Sequence, residues 1–276
     1  MKKLIVFTVL LSCFAFYTPK NSTFTLKKFE KKLGQIDKNL FAGKYEVSNL
    51  EYNEFLKSIV NSGKTDLFQR VKIQSEYWVQ NDESYNEPFV KTYHVHPAYD
   101  NYPVVNITHE GATAFCAWLT EEYNNFPKRK FSKVIFRLPT EAEWTKAARG
   151  NHEAAPFPWG GYYLRNSKGA FLANFKRIAQ TDIKGIDEDG EVILSSQRTD
   201  YPHITTPVDA YYANDFGLHQ CAGNVAEMLD QAGKTKGGSW DSFGYYIQID
   251  AEDEFAGFNK PSPKIGFRYF MEVIEE

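Results

Sequence analysis

Apolar residues recur at helical spacing in three places along the chain, each preceded by a residue able to cap a helix. Ser48 and Glu51 have the spacing of a capping box ahead of Phe55, Leu56, Ile59 and Val60, and Gly63 can end that helix. Thr108 can cap a second helix carrying Ala112, Phe115, Cys116, Leu119 and Tyr123 on one face. Thr140 and Glu143 form another capping box before Trp144, Ala147 and Ala148, with Arg149-Gly150 as the stop. Short runs rich in β-branched and aromatic residues predict strands at 134–137, 192–194, 245–249 and 266–270. The remainder is rich in Gly, Pro, Asn and aromatics without period, which predicts ordered loops. There is no internal repeat or low-complexity tract, so the pattern points to one α+β domain low in regular secondary structure.

Composition sharpens this. A length of 276 residues gives a soft prior of about two domains, but no boundary supports the second. Aromatics make up 16% of the chain, a share suited to stacked, loop-rich packing. With 32 basic against 35 acidic residues there is no overall field to hold nucleic acid or an anionic membrane surface. Three cysteines exclude a disulfide-stapled scaffold and any four-thiolate metal centre.

The N-terminus carries its own pattern. Met1-Lys2-Lys3 precedes an apolar run over residues 4–11, too short to span a bilayer, then Ser12-Cys13. Leu10-Leu11-Ser12-Cys13 resembles a bacterial lipobox, which makes residues 1–12 a lipoprotein signal peptide and Cys13 the lipidation point. Cleavage a few residues later, giving a soluble exported protein, is the alternative. Residues 13–38 then read as a tether and 39–273 as the folded domain, with membrane contact by lipid anchor only.

Two metal-like patterns weaken on inspection. The acidic stretch at 182–191 resembles an EF-hand loop, but its first and twelfth ligand positions would be Gly185 and Ser196. A β-turn at Asp189-Gly190 before the strand at 192–194 fits better. His94-x-His96 lies among Tyr93, Pro97 and Tyr99, as in a packed loop, with no third ligand identifiable. Trp118, Trp144, Trp159 and Trp240 read as core rather than ligand contacts.

Several segments occur together in a fixed order: Lys44-Tyr45-Glu46-Val47-Ser48-Asn49, Tyr102-Pro103-Val104-Val105, Arg137-Leu138-Pro139-Thr140-Glu141, Pro158-Trp159-Gly160, Asn214-Asp215-Phe216-Gly217-Leu218, Ala222-Gly223-Asn224-Val225-Ala226-Glu227, Gly237-Gly238-Ser239-Trp240 and Gly266-Phe267-Arg268. The set resembles the formylglycine-generating enzyme, or sulfatase-modifying factor, superfamily over residues 40 to 270. The resemblance implies a single formylglycine-generating-enzyme-like domain, related to C-type lectin-like folds. It also implies a test for activity, because the enzymes carry two cysteines after Gly-Gly-Ser that bind copper and oxidise a sulfatase cysteine. Soft Cu(I) needs thiolates. By register those positions are Ser242 and Ile247 here, beside Ser239 and Trp240, which implies a vestigial groove, no copper and no enzyme of that kind.

Calcium is the cofactor the resemblance leaves open. One family site maps to Asn174, the Phe175 carbonyl, Asp200 and the Pro202 carbonyl. A weaker one maps to Gln220, the Gly223 and Val225 carbonyls, and Glu227. The alternative is that Asn174 and Glu227 only brace turns by hydrogen bonding to backbone. Further segments, among them Tyr85-Asn86-Glu87-Pro88, Lys168-Gly169-Ala170-Phe171 and Tyr245-Tyr246-Ile247, are similar to the gliding-motility and type IX secretion-associated lipoproteins of the Bacteroidetes. That branch lacks the cysteine pair. It implies an exported, non-catalytic lipoprotein of the cell envelope, anchored to the outer membrane facing the periplasm, that binds envelope proteins and outer-membrane secretion or motility components. The alternatives are a superfamily enzyme of altered chemistry and a binder of glycans or other small ligands.

Overall fold

The computed structural model describes residues 26–79, 86–177, 183–186, 192–194 and 204–275. Its centre is a four-stranded antiparallel sheet of β1 (Leu33–Gln35), β2 (Leu40–Gly43), β9 (Phe270–Glu275) and β3 (Lys133–Arg137), in that order. Strand alternation divides β9 between two cores. Met271 and Val273 face one way, onto α1 (Asn49–Asn61) and α4 (His109–Asn125). Phe270 faces the other, onto α5 (Glu141–Arg149), where Trp144, Ala147 and Ala148 pack.

All three capped helices form as the pattern predicts. Ser48 and Thr140 close reciprocal capping boxes with Glu51 and Glu143, and the Thr108 hydroxyl accepts from Gly111 N–H. The apolar faces of α1 and α4 meet through Tyr52, Phe55 and Phe115, whose rings lie 5.3–5.9 Å apart. Two short helices, α2 (Thr65–Val71) and α3 (Glu87–Thr92), escape the pattern; neither has a side-chain cap. β3 is an edge strand, and α4 covers that edge. Asn124 exchanges hydrogen bonds with Val134 N and O, and the Thr120 hydroxyl accepts from Phe136 N–H.

A second sheet of three strands, β7 (Thr235–Lys236), β6 (Ala226–Met228) and β8 (Ile265–Gly266), sits beside the first. A separate hairpin joins β4 (Ile183–Ile186) to β5 (Val192–Leu194), in keeping with the expected strand at 192–194. Among the described residues no helix is long and apolar enough to cross a membrane.

Three expectations need correction. Residues 245–249 are not a strand: Tyr246 N–H bonds Phe243 O and Gln248 N–H bonds Tyr245 O, successive tight turns that win over β-propensity. The strand expected at 266–270 is two elements in different sheets, since residues 267–269 cross from β8 to β9. Part of the expected tether is fold, because β1 pairs with β2 and Phe29 is buried in the larger core. Cys13 and residues 1–12 lie outside the described residues.

Candidate functional site

The Gly-Gly turn after β7 sets up the site. Gly237 and Gly238 take φ of 91° and 65°. A Cβ on Gly238 would meet the Ile247 side chain and the Tyr246 carbonyl at 2.9 Å, so only glycine lets the 245–249 turns pack this closely. Ser239, Ser242 and Ile247 have no exposed surface, and Trp240 is 1% exposed. Ser242 Oγ accepts from Ser239 N–H at 2.8 Å, contacts Ser239 Oγ at 2.9 Å and donates a short hydrogen bond to Glu254. With that donation fixed, the Ser239 hydroxyl donates to Ser242. Burial, above all, holds the Glu254 carboxyl above the usual range.

A serine bonded to a carboxylate resembles an activated nucleophile, but here no reactant can reach it. The void beside it, bounded by Gly238, Tyr246 and Glu254, is about 10 Å³, the space of a single water at most. The two described cysteines are no substitute. Cys116 and Cys221 are free, buried, and packed in different cores. Burial pushes both thiols up, Cys221 to about 12, so neither supplies a thiolate near neutral pH. The carboxylate that closes on Ser242 was not legible in advance, since Glu254 lies twelve residues away in a loop without pattern.

Behind this turn lies a buried polar cluster. Arg268 has no exposed surface and binds Glu227 through Nη2 at 2.7 Å and Nε at 3.0 Å, while also donating to Gly43 O and His219 O. The Trp144 indole donates to Glu227 at 2.8 Å. Asn224 donates to Glu46 at 2.6 Å and accepts from Asn174 and Thr206. Burial and the neighbouring Glu227 carboxylate push the Glu46 carboxyl well above its usual range. Gly223, at φ 74°, lies so near the Asn174 carbonyl that a Cβ would sit 2.1 Å from it.

The two calcium donor sets fare differently. Asn174 is fully buried; its amide nitrogen donates to Ile204 O and Asn224, while its Oδ1 has no partner. An unpartnered buried oxygen suits a hard cation, and Phe175 follows directly; Asp200 and Pro202 lie outside the described residues. The set around Glu227 does not suit one. Both its oxygens already face Arg268, and displacing that guanidinium would strand a buried charge. Gln220 Oε1 is also unpartnered, its amide nitrogen held by Thr206 and Pro207 O, whereas the Gly223 and Val225 carbonyls belong to the loop into β6. No group of three or more His, Cys, Asp or Glu able to hold a metal occurs among the described residues. The two histidines part company: His94 is buried against Asn49, and His96 is exposed and caps a turn at Ala98.

Beside the sealed serines an open groove of about 610 Å³ runs between Leu164, Arg165, Phe171, Lys176, Arg177 and Phe243. Of the five tryptophans, Trp78, Trp144 and Trp240 are buried and Trp118 and Trp159 partly so, and none lines that groove.

Comparison with known proteins supports the fold, and the relatives include both active and inactive members. The mouse (Mus musculus) formylglycine-generating enzyme is 32% identical over 127 residues, 46% of this chain and 26% of that protein. The inactive C-alpha-formylglycine-generating enzyme 2 of Bos taurus is 31% identical over 127 residues, 46% of this chain and 32% of that protein. The chain therefore spans a third or less of the length of these relatives. Among solved structures, PvdO from Pseudomonas aeruginosa shares the fold at a TM-score of 0.53 and 16% identity, covering 85% of this chain and 80% of that one. Treponema denticola variable protein 1 does so at 0.50 and 18%, covering 87% and 91%. The model for the sulfatase-modifying factor enzyme 1-like domain matches residues 30–273, and the chain belongs to that family.

Proposed function

We propose that this chain is a non-catalytic member of its family, an exported lipoprotein whose domain serves as a protein-interaction or scaffold component of a cell-envelope secretion or gliding machine. The observation that carries the non-catalytic part is the sealing of Ser242 and Ile247, which by register hold the places of the catalytic cysteines. One is locked to Glu254 and the other packed on Gly238, so neither sulfur chemistry nor substrate access survives. A relative named as inactive supports this reading, since the family then includes members without the activity. The envelope role rests on the lipobox at Cys13 and on the segments similar to the gliding and secretion lipoproteins.

Calcium belongs in this reading as a brace. Asn174, held between Ile204 and Asn224, would present its free Oδ1 to the ion, with the Phe175 carbonyl beside it. The ion would supply positive charge that fastens irregular loops together.

The test has two arms. A sulfatase peptide containing the target cysteine, incubated with the purified chain, copper and oxygen, should keep its mass. A tagged chain and its Cys13→Ser variant, expressed in the native cell, should divide between membrane and soluble fractions. Oxidation of the peptide, or equal partition of the two chains, overturns the corresponding half of the proposal.

A further inference from the structure

The open groove beside Phe243 is unlike the sealed turn next to it. Phe171, Phe175 and Phe243 give it an aromatic lining, and Tyr163 at its mouth is 79% exposed, with Tyr162 beside it at 72%. The charges of its described residues are all of one sign. Arg165 and Arg177 stack on a single ring, their guanidinium carbons 3.5 and 4.1 Å from the Phe171 centroid, and Lys176 Nζ lies 4.9 Å from that of Phe243. No Asp or Glu is among the described residues that line it.

The described acids that offset part of this charge, Asp241 and Glu254, lie behind the wall. Lys176 faces Asp241 at 3.4 Å, Asp241 also holds Lys264 at 2.7 Å, and Glu254 is near both lysines. Arg165 is different. It is exposed, and its one hydrogen bond, from Nη1 to Gly169 O at 2.7 Å, is to a neutral acceptor. Stacking on Phe171 fixes the guanidinium plane and leaves its other N–H groups in position to fork onto a carboxylate.

The volume falls in the range of ligand clefts, about 300–1,000 Å³. The lining chooses among anionic occupants. A sugar stacks on aromatic faces but needs a polar partner for each hydroxyl, and this groove offers rings and cations rather than mixed donors and acceptors. Apolar side chains suit the phenylalanines, and carboxylates suit the arginines. We infer that the groove docks an acidic peptide segment of a partner protein, its apolar side chains against Phe171 and Phe243 and a carboxylate on Arg165. This rests on the reading of the domain as an interaction module and names the kind of segment it takes.

A fluorescein-labelled decapeptide alternating aspartate and leucine, titrated into the full chain and followed by anisotropy, tests the assignment. It should bind about tenfold more tightly than the asparagine–leucine counterpart and weaken steeply with salt. Arg165→Gln should reduce binding about five- to tenfold, and Arg165→Lys should recover part of the loss. Because Arg165 is exposed, the melting temperature of both variants should stay within a few degrees of the parent. Equal binding of the two peptides, an unaffected Arg165→Gln variant, or no binding of either peptide overturns the proposal. So does a uronic-acid oligosaccharide that outcompetes the acidic peptide, which would make the occupant a glycan. These outcomes leave the non-catalytic reading standing, since that falls only to oxidation of the sulfatase peptide.

Discussion

His94 makes the stability of this protein depend on pH in a way that one substitution removes. Asn49 Nδ2 donates to Tyr93 O and Tyr99 O, so its Oδ1 must accept from His94 Nδ1 at 2.9 Å. The proton is therefore on Nδ1, and Nε2 is a buried lone pair without a partner. Adding a proton there puts a charge into a site 5% exposed. Burial lowers the His94 pKa from 6.5 to about 3. The unfolded chain thus binds a proton that the folded chain refuses. Stability is complete above pH 6.5 and falls as pH drops toward 3, by about 1.4 kcal/mol per pH unit. Between about pH 7.5 and about pH 5 the loss through this residue is about 2 kcal/mol. Urea unfolding of the parent and of His94→Gln at the two pH values measures it. Other groups, Glu46 included, titrate alike in both proteins, so the difference between the two pH slopes isolates His94. Slopes agreeing within about 0.5 kcal/mol would refute the argument.

Other substitutions probe the remaining clusters. Glu227→Gln leaves the fully buried Arg268 without its counter-charge and should cost about 3–5 kcal/mol in chemical denaturation, more than Glu227→Gln with Arg268→Met together. Ser242→Ala strands the Ser239 N–H and the Glu254 carboxyl and should cost about 1–3 kcal/mol by the same measurement. Arg137 holds the Glu143 carboxyl down at about 2, so this pair stabilises the fold above pH 4.5 and is lost as pH falls toward 2. Because both side chains keep some solvent contact, the acid-limb difference for Glu143→Gln should be about 1–2 kcal/mol. Millimolar calcium should raise the thermal midpoint of the parent, and Asn174→Ala should abolish that rise while magnesium has little effect on either.

What could be read from the sequence follows from how local each signal is. The three long helices are written in short-range code, a capping hydroxyl and a glutamate three residues on, and they form where that code places them. Strand β3 is equally local, with Val134 and Phe136 buried between exposed neighbours. The segment at 245–249 has strand composition, but its fate was decided by Gly238, which pulls Ile247 in and bends the backbone into turns. The break between β8 and β9 has the same kind of cause: Arg268 must point inward to Glu227, so the residues around it leave one sheet before joining the other. At the site, the register identified Ser242 and Ile247 as the positions to inspect. The partner of Ser242, Glu254, and the coupling of Glu46 to Asn224 across 178 residues are long-range facts with no local pattern.

The position of β9 governs when this molecule can exist as a fold. Strand β9 joins β2 to β3, so the sheet has no middle until residues 270–275 arrive. Arg268, just ahead of it, then locks to Gly43, 225 residues back in the chain. Early segments can form helices on their own, but neither core can close before β9 is made. Such high contact order makes folding slow and concerted. A chain built this way stays threadable until β9 is made, which would suit the export proposed above.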